Sequence, residues 1–228
     1  MSKKRIVVLT GAGVSAESGI KTFRDSGGLW EEYDIMDVAT PEAWERNRDL
    51  VMEFYNQRRK QLYEVEPNAA HYALAELEKD YDVRIITQNV DDLHERAGST
   101  HVMHLHGELK KVRSSVDENL VYTLDGWELK PGDKCEKGSQ LRPHIVWFGE
   151  PVYMIPAAAE LSATADIYVI IGTSLNVYPA AGLVDYVKPG TPVYLIDPAE
   201  PGAIHIPKFT FIQEKASTGT KRLVEEYL

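Results

Sequence analysis

The sequence predicts an α/β fold in which a mostly parallel sheet is covered by helices on both faces. Short apolar runs rich in β-branched residues recur along the chain, and helical stretches separate them. The runs predicted as strands cover residues 5–9, 83–87, 166–171 and 192–197, with 209–212 as an edge strand. Strands buried on both faces of a parallel sheet have this continuous apolar character, which favours the layered arrangement.

The helices between these strands have recognisable starts. Residues 41–63 are predicted as one helix because Thr40 suits the N-cap and Pro41 suits the first helical position. Residues 68–79 are predicted as a second helix, and residues 221–228 as a closing helix.

The segment at about 110–141 differs from the rest, since it is polar, rich in glycine and weakly periodic. A structureless loop of about 30 residues would be unusual in a compact domain, so we expect a small inserted lobe with its own partial order. The large domain would then comprise about 1–109 and 142–228, with a further helical insert at about 27–65.

The composition is ordinary for a soluble globular protein, with 43% hydrophobic and 26% charged residues. No apolar run approaches the roughly 20 residues that span a bilayer, and the apolar part of the N-terminal stretch is too short for a signal peptide. We therefore expect a cytoplasmic protein without a membrane partner.

The single cysteine, Cys135, excludes an internal disulfide and a multi-cysteine zinc site within one chain. The net charge of −10 argues against nucleic acid as a partner and would suit lysine-rich substrates, although most acidic proteins are simply soluble.

A glycine-rich turn follows the first predicted strand. Gly11, Gly13 and Ala16 fill a G-x-G-x-x-A pattern, which permits a tight turn and close approach of the backbone to a pyrophosphate. The pattern is weak alone, and no second strand ending in an acidic residue follows about 20 residues later. Residues 19–30 form either a lid over a ligand or a surface loop whose aromatic side chains pack inward.

Amide and carboxylate side chains follow the predicted strand 83–87. Residues 88–92 read QNVDD and lie where open parallel sheets bind ligands, beyond the carboxyl end of a strand. They suit hydrogen bonding to an amide and to ribose hydroxyls. Alternatively, they cap a helix that contains Leu93 and Arg96.

Three histidines occur close together in the next segment. His101, His104 and His106 are predicted to share one face of a strand, which allows either a metal site or one functional histidine beside two structural ones. His106 is the candidate general base among the three, because a glycine follows it at the strand end and leaves the ring accessible.

Taken together, these segments resemble the sirtuin family. The matching pieces occur in the family's order and cover nearly the whole chain. They are GAGVSAESGI at 11–20, TFR at 22–24, TQNVD at 87–91, HLHG at 104–107, PHIVWFGE at 143–150 and GTS at 172–174.

The resemblance implies a Rossmann-like, NAD-binding sheet domain and transfer of an acyl group from lysine to ADP-ribose, with release of nicotinamide. NAD would be consumed, with His106 as the base and with Asn89 and Asp91 binding the nicotinamide amide or its water. Residues 146–150 (Val146, Trp147, Phe148, Gly149 and Glu150) would pair with the substrate peptide as an added strand. The residues implied to bind NAD are Gly11, Ala12, Gly13, Ser15, Ala16, Thr22, Phe23, Arg24, Trp30, Gln88, Asn89, Val90, Asp91, Gly172, Thr173, Ser174, Asp197 and Ala216.

Two helix residues point to the acyl group. Tyr55 and Arg58 lie three apart, on one helix face, and a phenol with a guanidinium can bind a carboxylate. They resemble the Tyr-x-x-Arg pair of class III sirtuins, which remove succinyl, malonyl and glutaryl groups. The alternative is a surface arginine beside a tyrosine at the edge of the core.

The small lobe departs from the family pattern of two C-x-x-C pairs. Residues 113–117 and 134–138 stand at those places, and they retain only Cys135. A structural zinc site needs four good ligands, so we expect no zinc and a lobe held by its own packing. The expected packing residues are Leu120, Tyr122, Leu124, Trp127 and Leu129.

The preferred function is therefore an NAD-dependent lysine deacylase that acts on acyl-lysine proteins or peptides, prefers acidic acyl groups and also accepts acetyl. Two alternatives share the NAD pocket: a protein ADP-ribosyltransferase and a non-catalytic NAD-sensing module.

Overall fold

The computed structural model describes residues 3–20, 33–200 and 208–228. The strands are β1 (Arg5–Thr10), β2 (Asp82–Thr87), β3 (Val102–His104), β4 (Gly107–Ser114), β5 (Val121–Thr123), β6 (Leu141–Ile145), β7 (Ile167–Ile171), β8 (Val193–Ile196) and β9 (Thr210–Ile212). The helices are α1 (Gly13–Ala16), α2 (Ile35–Val38), α3 (Pro41–Arg46), α4 (Arg48–Leu62), α5 (Ala69–Leu77), α6 (Leu93–Arg96), α7 (Ile155–Ser162) and α8 (Ala216–Glu226), with a 3₁₀ helix at Ala180–Tyr186.

A six-stranded sheet lies at the centre of the large domain. Its strand order is β3-β2-β1-β7-β8-β9, and every neighbouring pair is parallel. β9 lies at one edge, as the sequence predicts. The predicted parallel α/β fold is therefore confirmed.

Alternate residues of the central strands face two separate apolar layers. Ile6 and Val8 of β1 pack with helices α5 and α8, whereas Val7 and Leu9 pack with α7 and the 3₁₀ helix. All four side chains are fully buried. Because successive side chains of a strand point to opposite faces, this burial explains why the strand sequences are continuously apolar. Each such side chain contributes about 1.5–3 kcal/mol on burial.

The predicted helix at 41–63 is wrong in one respect, because it is two helices. Asn47 ends α3 and also caps α4, where its side chain accepts a hydrogen bond from the Leu50 N–H (3.1 Å). Its non-helical backbone (φ −153°, ψ 82°) turns the chain between the two helices. Asparagine is a favoured N-cap, so the residue that breaks one helix starts the next. The closing helix α8 also begins earlier than predicted, at Ala216.

A three-stranded antiparallel sheet, in the order β5-β4-β6, overlaps the segment predicted as a small lobe and extends beyond it at both ends, over residues 107–145. This sheet packs with helices α2 to α4 in a third apolar cluster. Leu129 is buried in that cluster, and Tyr122 and Leu124 pack against it. The expectation for Trp127 is wrong: its side chain is 38% exposed and lies with its ring 5.6 Å from the Lys60 ammonium.

The prediction that three histidines share a strand face is also wrong. β3 ends at His104, so His101 precedes the strand and His106 follows it. The spacing of three between His101 and His104 puts the two side chains on opposite faces. Within the described ranges, no helix is long and apolar enough to cross a bilayer.

Candidate active site

The carboxyl ends of the parallel strands bring the predicted loops to one edge of the sheet. The glycine turn follows β1, the QNVDD segment follows β2, and the segment beginning at Gly172 follows β7, which pairs with β1. Nucleotides bind at this edge of open α/β sheets. The fold and this convergence of loops define the class of nucleotide-binding α/β proteins.

The glycines of the turn after β1 are needed because the turn contacts the backbone that follows β7. The Gly13 N–H donates to the Gly172 carbonyl at 2.9 Å. A Cβ at Gly13 would lie 2.6 Å from Gly172 Cα, and one at Gly11 would lie 2.7 Å from Thr173 Cβ. The turn is therefore fixed against the end of β7, a reason for glycine that the sequence pattern did not reveal.

Three predicted polar residues form a buried cluster behind this turn. Ser15 Oγ donates to Asp91 Oδ2 (3.0 Å), and Asn89 Nδ2 donates to Ser15 Oγ (3.1 Å) and to the Gly11 carbonyl (3.2 Å). Burial raises the pKa of Asp91, although hydrogen bonds from Leu93 N–H and Ser15 oppose the rise. The cluster holds amide and carboxylate groups at a fixed position on the sheet edge.

The capping alternative for this segment is also realised. Asp91 Oδ1 accepts a hydrogen bond from the Leu93 N–H (3.2 Å) at the start of α6. Asp92 occupies the N-cap position without a capping bond from its side chain, which instead pairs with Lys110. The same loop therefore starts a helix and carries the polar cluster.

His106 is held by the backbone of the β2 loop. Its Nδ1 lies 3.0 Å from the Gln88 carbonyl oxygen. Because a carbonyl only accepts, Nδ1 carries the proton and Nε2 is an acceptor in the neutral ring. Burial lowers the pKa of His106, against a smaller opposing effect of the Gln88 carbonyl. The ring is therefore a neutral base near pH 7.

The glycine after His106 has a structural reason. Gly107 has a φ of +86°, and a Cβ there would lie 2.0 Å from the His144 carbonyl oxygen. The His106 carbonyl also accepts from the Val146 N–H at 2.9 Å. The antiparallel pairing of β4 with β6 thus fixes the backbone that carries His106.

His104 is held by a different pair of groups, which the sequence did not indicate. Its Nδ1 lies 3.0 Å from the Asn89 carbonyl, and its Nε2 lies 2.7 Å from Glu95 Oε1. Two acceptors require a proton on both nitrogens, so the ring is an imidazolium. Burial alone would lower the pKa of His104, but the hydrogen bond and charge of Glu95 outweigh burial and raise it.

Gln88 joins two of the converging loops. Its Nε2 donates to Thr173 Oγ1 at 3.1 Å. Asp197 follows β8, where its side chain accepts from the Ala199 N–H. The remaining residues predicted to bind NAD are placed as follows: Ala12 and Ala16 lie in the turn and α1, Val90 lies between Asn89 and Asp91 of the polar cluster, Ser174 follows Thr173, and Ala216 begins α8. Thr22, Phe23, Arg24 and Trp30 lie outside the described residues.

Tyr55 and Arg58 lie together on α4. The Arg58 guanidinium carbon is 5.8 Å from the centre of the Tyr55 ring. Tyr55 is buried and accepts a hydrogen bond from the Trp147 indole N–H (3.1 Å). Arg58 is half-buried, and burial lowers its pKa while the charges of Tyr55 and Asp91 oppose that change. The arginine is thus in electrostatic reach of both the tyrosine and the polar cluster.

The segment predicted to bind a peptide strand already uses most of its N–H groups. Val146 and Phe148 N–H donate to the carbonyls of His106 and Ala39. The Trp147 N–H donates to the Glu150 carboxylate at 2.8 Å. An added strand would therefore rely on the carbonyls of this segment and on the Gly149 N–H.

Hydrogen bonds join the segments 113–117 and 134–139 of the lobe. Ser114 Oγ lies 2.9 Å from Ser139 Oγ, and the Cys135 thiol contacts both hydroxyls. Lys137 pairs with Asp117 at 2.6 Å. In the described part of the chain, no three His, Cys, Asp or Glu side chains are grouped to hold a metal ion. The absence of zinc stays a prediction.

Comparison with known proteins identifies the family. The model of the Sir2 family matches residues 11–179. An NAD-dependent protein deacylase of Bacteroides thetaiotaomicron is 57% identical over 96% of both chains. One from Helicobacter pylori (strain 26695) is 58% identical over 90% of this chain and 89% of its own. The chain belongs to the Sir2 family, which confirms the resemblance seen in the sequence.

Solved structures of similar proteins agree with this family assignment. A Sir2 homologue bound to NAD has a TM-score of 0.87 at 42% identity, over 97% of this chain and 88% of that one. A mutant Sir2 homologue bound to ADP-ribose has a TM-score of 0.88 at 41% identity, over 97% and 91%. NAD is the cofactor of this family, and the convergent loops and buried polar cluster fit it.

Proposed function

We propose that this chain, an NAD-dependent protein deacylase by homology, prefers lysine acyl groups that end in a carboxylate. The observation that carries the proposal is the pairing of Tyr55 with Arg58 on α4. A buried phenol hydroxyl beside a guanidinium offers a hydrogen bond and a positive charge, and both suit a carboxylate. An acetyl group has no carboxylate for them to bind. Succinyl, malonyl and glutaryl lysine are the candidate substrates.

The electrostatics around Tyr55 support an anionic ligand. Burial raises the pKa of Tyr55 to about 12, while the positive charges of Arg58 and Arg142 act in the opposite direction. The hydroxyl therefore keeps its proton throughout the neutral range. The charge of Asp91 also acts on the pKa of Arg58, which supports a proposed acyl site close to the polar cluster.

In the proposed reaction, NAD supplies the ADP-ribosyl group that accepts the acyl group as nicotinamide leaves. His106 acts as the general base. Its Nε2 would take a proton from a ribose hydroxyl, so that the oxygen can attack the acyl carbon, while the Nδ1 proton stays on the ring and is donated to the Gln88 carbonyl. A neutral imidazole is the form that this step needs.

The polar cluster has a separate proposed task. Asn89 and Asp91 would hold the nicotinamide amide or order its water, and Ser15 keeps both side chains in place through the bonds described above. The loops at Gly13, Gly172 and Thr173 would cradle the diphosphate. Water exclusion by the surrounding apolar clusters would protect the reacting group from hydrolysis.

The substrate is proposed to be an acyl-lysine segment of a protein. A Sir2 structure with a deacetylated p53 peptide and acetyl ADP-ribose has a TM-score of 0.80 at 30% identity, over 99% of this chain and 94% of that one. Residues 146–150 lie next to the His106 backbone, so a strand added there would bring its lysine towards the base.

The replacement Arg58→Met tests the acyl preference. Loss of a charged hydrogen bond should lower kcat/KM for a succinyl-lysine peptide by about 10- to 100-fold, and much less for the acetyl peptide. Gln57→Ala, at the neighbouring half-buried position, is the matched control. Nicotinamide release and peptide mass are measured together. An equal loss on both peptides would contradict the carboxylate site.

The same assay separates the other candidate activities. Carrying labelled NAD through the reaction distinguishes deacylation from ADP-ribosyl transfer, because only the transfer leaves label on protein. NAD binding without nicotinamide release would indicate a sensing module.

A further inference from the structure

We propose that Trp147 sets the acyl preference by fixing the Tyr55 hydroxyl as a hydrogen-bond donor towards the acyl carboxylate. The inference rests on the proposed function, and it assigns to the indole side chain a task separate from the backbone pairing of residues 146–150. Trp147 is then a positioning residue, since it acts on the substrate through Tyr55.

The direction of one buried hydrogen bond carries this inference. Trp147 Nε1 lies 3.1 Å from Tyr55 Oη, and the two side chains are 2% and 1% exposed. An indole nitrogen can only donate, so the tyrosine oxygen must be the acceptor. The single proton of the hydroxyl is left for another acceptor. A carboxylate only accepts, and it therefore complements this arrangement.

The indole is held so that it cannot turn away from Tyr55. The Arg142 guanidinium carbon lies 3.3 Å from the centre of the Trp147 ring, and the Trp44 ring centre lies 5.9 Å away at a tilt of 39°. The backbone of Trp147 is fixed as well, by its bond to Glu150.

Glu150 joins the supports of Trp147 into one network. Its carboxylate accepts from Arg142 Nη1 at 2.7 Å and from Arg113 Nη2 at 3.2 Å, in addition to the Trp147 N–H. Charged hydrogen bonds of this kind hold a planar guanidinium in one orientation. The donor that meets Tyr55 is therefore set in advance of substrate binding, which lowers the entropy lost when the acyl group binds.

Trp44 provides a control within the same cluster. Its side chain is 3% exposed and stacks near Trp147, yet its Nε1 has no hydrogen-bond partner among the residues that the structure describes. Removal of the Trp44 N–H should therefore change the packing of the cluster without changing the Tyr55 hydroxyl.

The experiment compares Trp147→Phe with Trp44→Phe. Values of kcat/KM are measured with NAD on succinyl-lysine and acetyl-lysine versions of one peptide. Trp147→Phe should lower the succinyl-to-acetyl ratio by about three- to tenfold, the change expected for one neutral hydrogen bond. Trp44→Phe should leave the ratio within about twofold. Combination with Tyr55→Phe should remove the effect, because Trp147 acts only through the hydroxyl.

A second variant removes the N–H without removing the ring shape. Incorporation of benzothienylalanine at position 147 replaces the indole N–H by sulfur and keeps the two fused rings, so it tests the hydrogen bond even if the phenylalanine variant folds poorly. It should reproduce the fall in the ratio.

The outcomes separate this inference from the proposed function. If Tyr55→Phe lowers the ratio and both changes at position 147 leave it unchanged, the role of Trp147 is overturned while the carboxylate site stands. If Tyr55→Phe and Arg58→Met both leave the ratio unchanged, the carboxylate site itself is wrong. A fall in ratio for Trp44→Phe equal to that for Trp147→Phe would assign the effect to packing and overturn the inference.

Discussion

Replacement of Asn56 by alanine should loosen the small lobe from helix α4. Asn56 is buried, and its side chain binds both backbone groups of Leu129: Oδ1 accepts from the N–H and Nδ2 donates to the carbonyl, each at 2.9 Å. Oδ1 also accepts from Arg59 Nη1 at 2.8 Å. Arg59, which is fully buried, continues the connection by donating to the carbonyls of Leu109 and Trp127.

The magnitude follows from these bonds. Each of the three bonds of Asn56 contributes about 0.5–1.5 kcal/mol net, and the backbone groups of Leu129 and one guanidinium N–H would be left without this partner. We expect Asn56→Ala to lower the free energy of unfolding by about 3 kcal/mol. For a chain of this size, this loss corresponds to a fall in Tm of about 6–12 °C.

Urea unfolding followed by circular dichroism measures the loss, with a thermal scan as a second measure. Gln57→Ala is the control, because the Gln57 amide donates to the exposed Glu53 side chain on the same helix (2.8 Å), and its loss should change stability by less than about 0.5 kcal/mol. A change for Asn56→Ala no larger than that of the control would refute the view that this side chain anchors the lobe.

Two further predictions concern buried and charged histidines. Burial lowers the pKa of His71 to about 4, so the unfolded chain binds this proton more readily. The contribution of His71 to the free energy of unfolding should be constant above about pH 6.5 and should fall by about 3 kcal/mol between pH 6.5 and 4. His71→Gln, which keeps a capping-box acceptor, should flatten this part of the unfolding curve, and an unchanged slope would contradict the assignment. Glu95 raises the pKa of His104, so Glu95→Gln should shift the NMR titration of the His104 ring to lower pH, whereas an unshifted titration would contradict the imidazolium. The stability from the native His104–Glu95 pair is present below pH 6.5 and should be lost as pH rises through the raised pKa.

The sequence predicted the parallel sheet well because its signal is local. The strands around Val7 and Ile170 are apolar on both faces, and helices cover both faces. The break at Asn47 was missed because the same residue type that starts a helix can also interrupt a longer helical pattern. The bounds of the lobe and the cytoplasmic location stay predictions.

The candidate site was predicted in part, and the rest depends on contacts distant in sequence. The motifs located the loops of Gly13, Asn89 and His106, which the parallel strands then bring to one edge of the sheet. The Glu95–His104 pair and the bond from Trp147 to Tyr55 carry no local pattern, since each joins different elements of the fold. Glu95 and His104 are 9 positions apart in the sequence, and Tyr55 and Trp147 are 92 apart. These contacts are seen only in the three-dimensional structure.

The most direct test of the account is a panel of acyl-lysine peptides incubated with the unmodified protein and NAD. The peptides share one sequence and carry succinyl, malonyl, glutaryl or acetyl groups, and mass spectrometry follows deacylation while nicotinamide release is counted in parallel. We expect one nicotinamide for each deacylated lysine and a kcat/KM at least about tenfold higher for an acidic acyl group than for acetyl. Efficient removal of acetyl, with no advantage for any acidic group, would contradict the central claim.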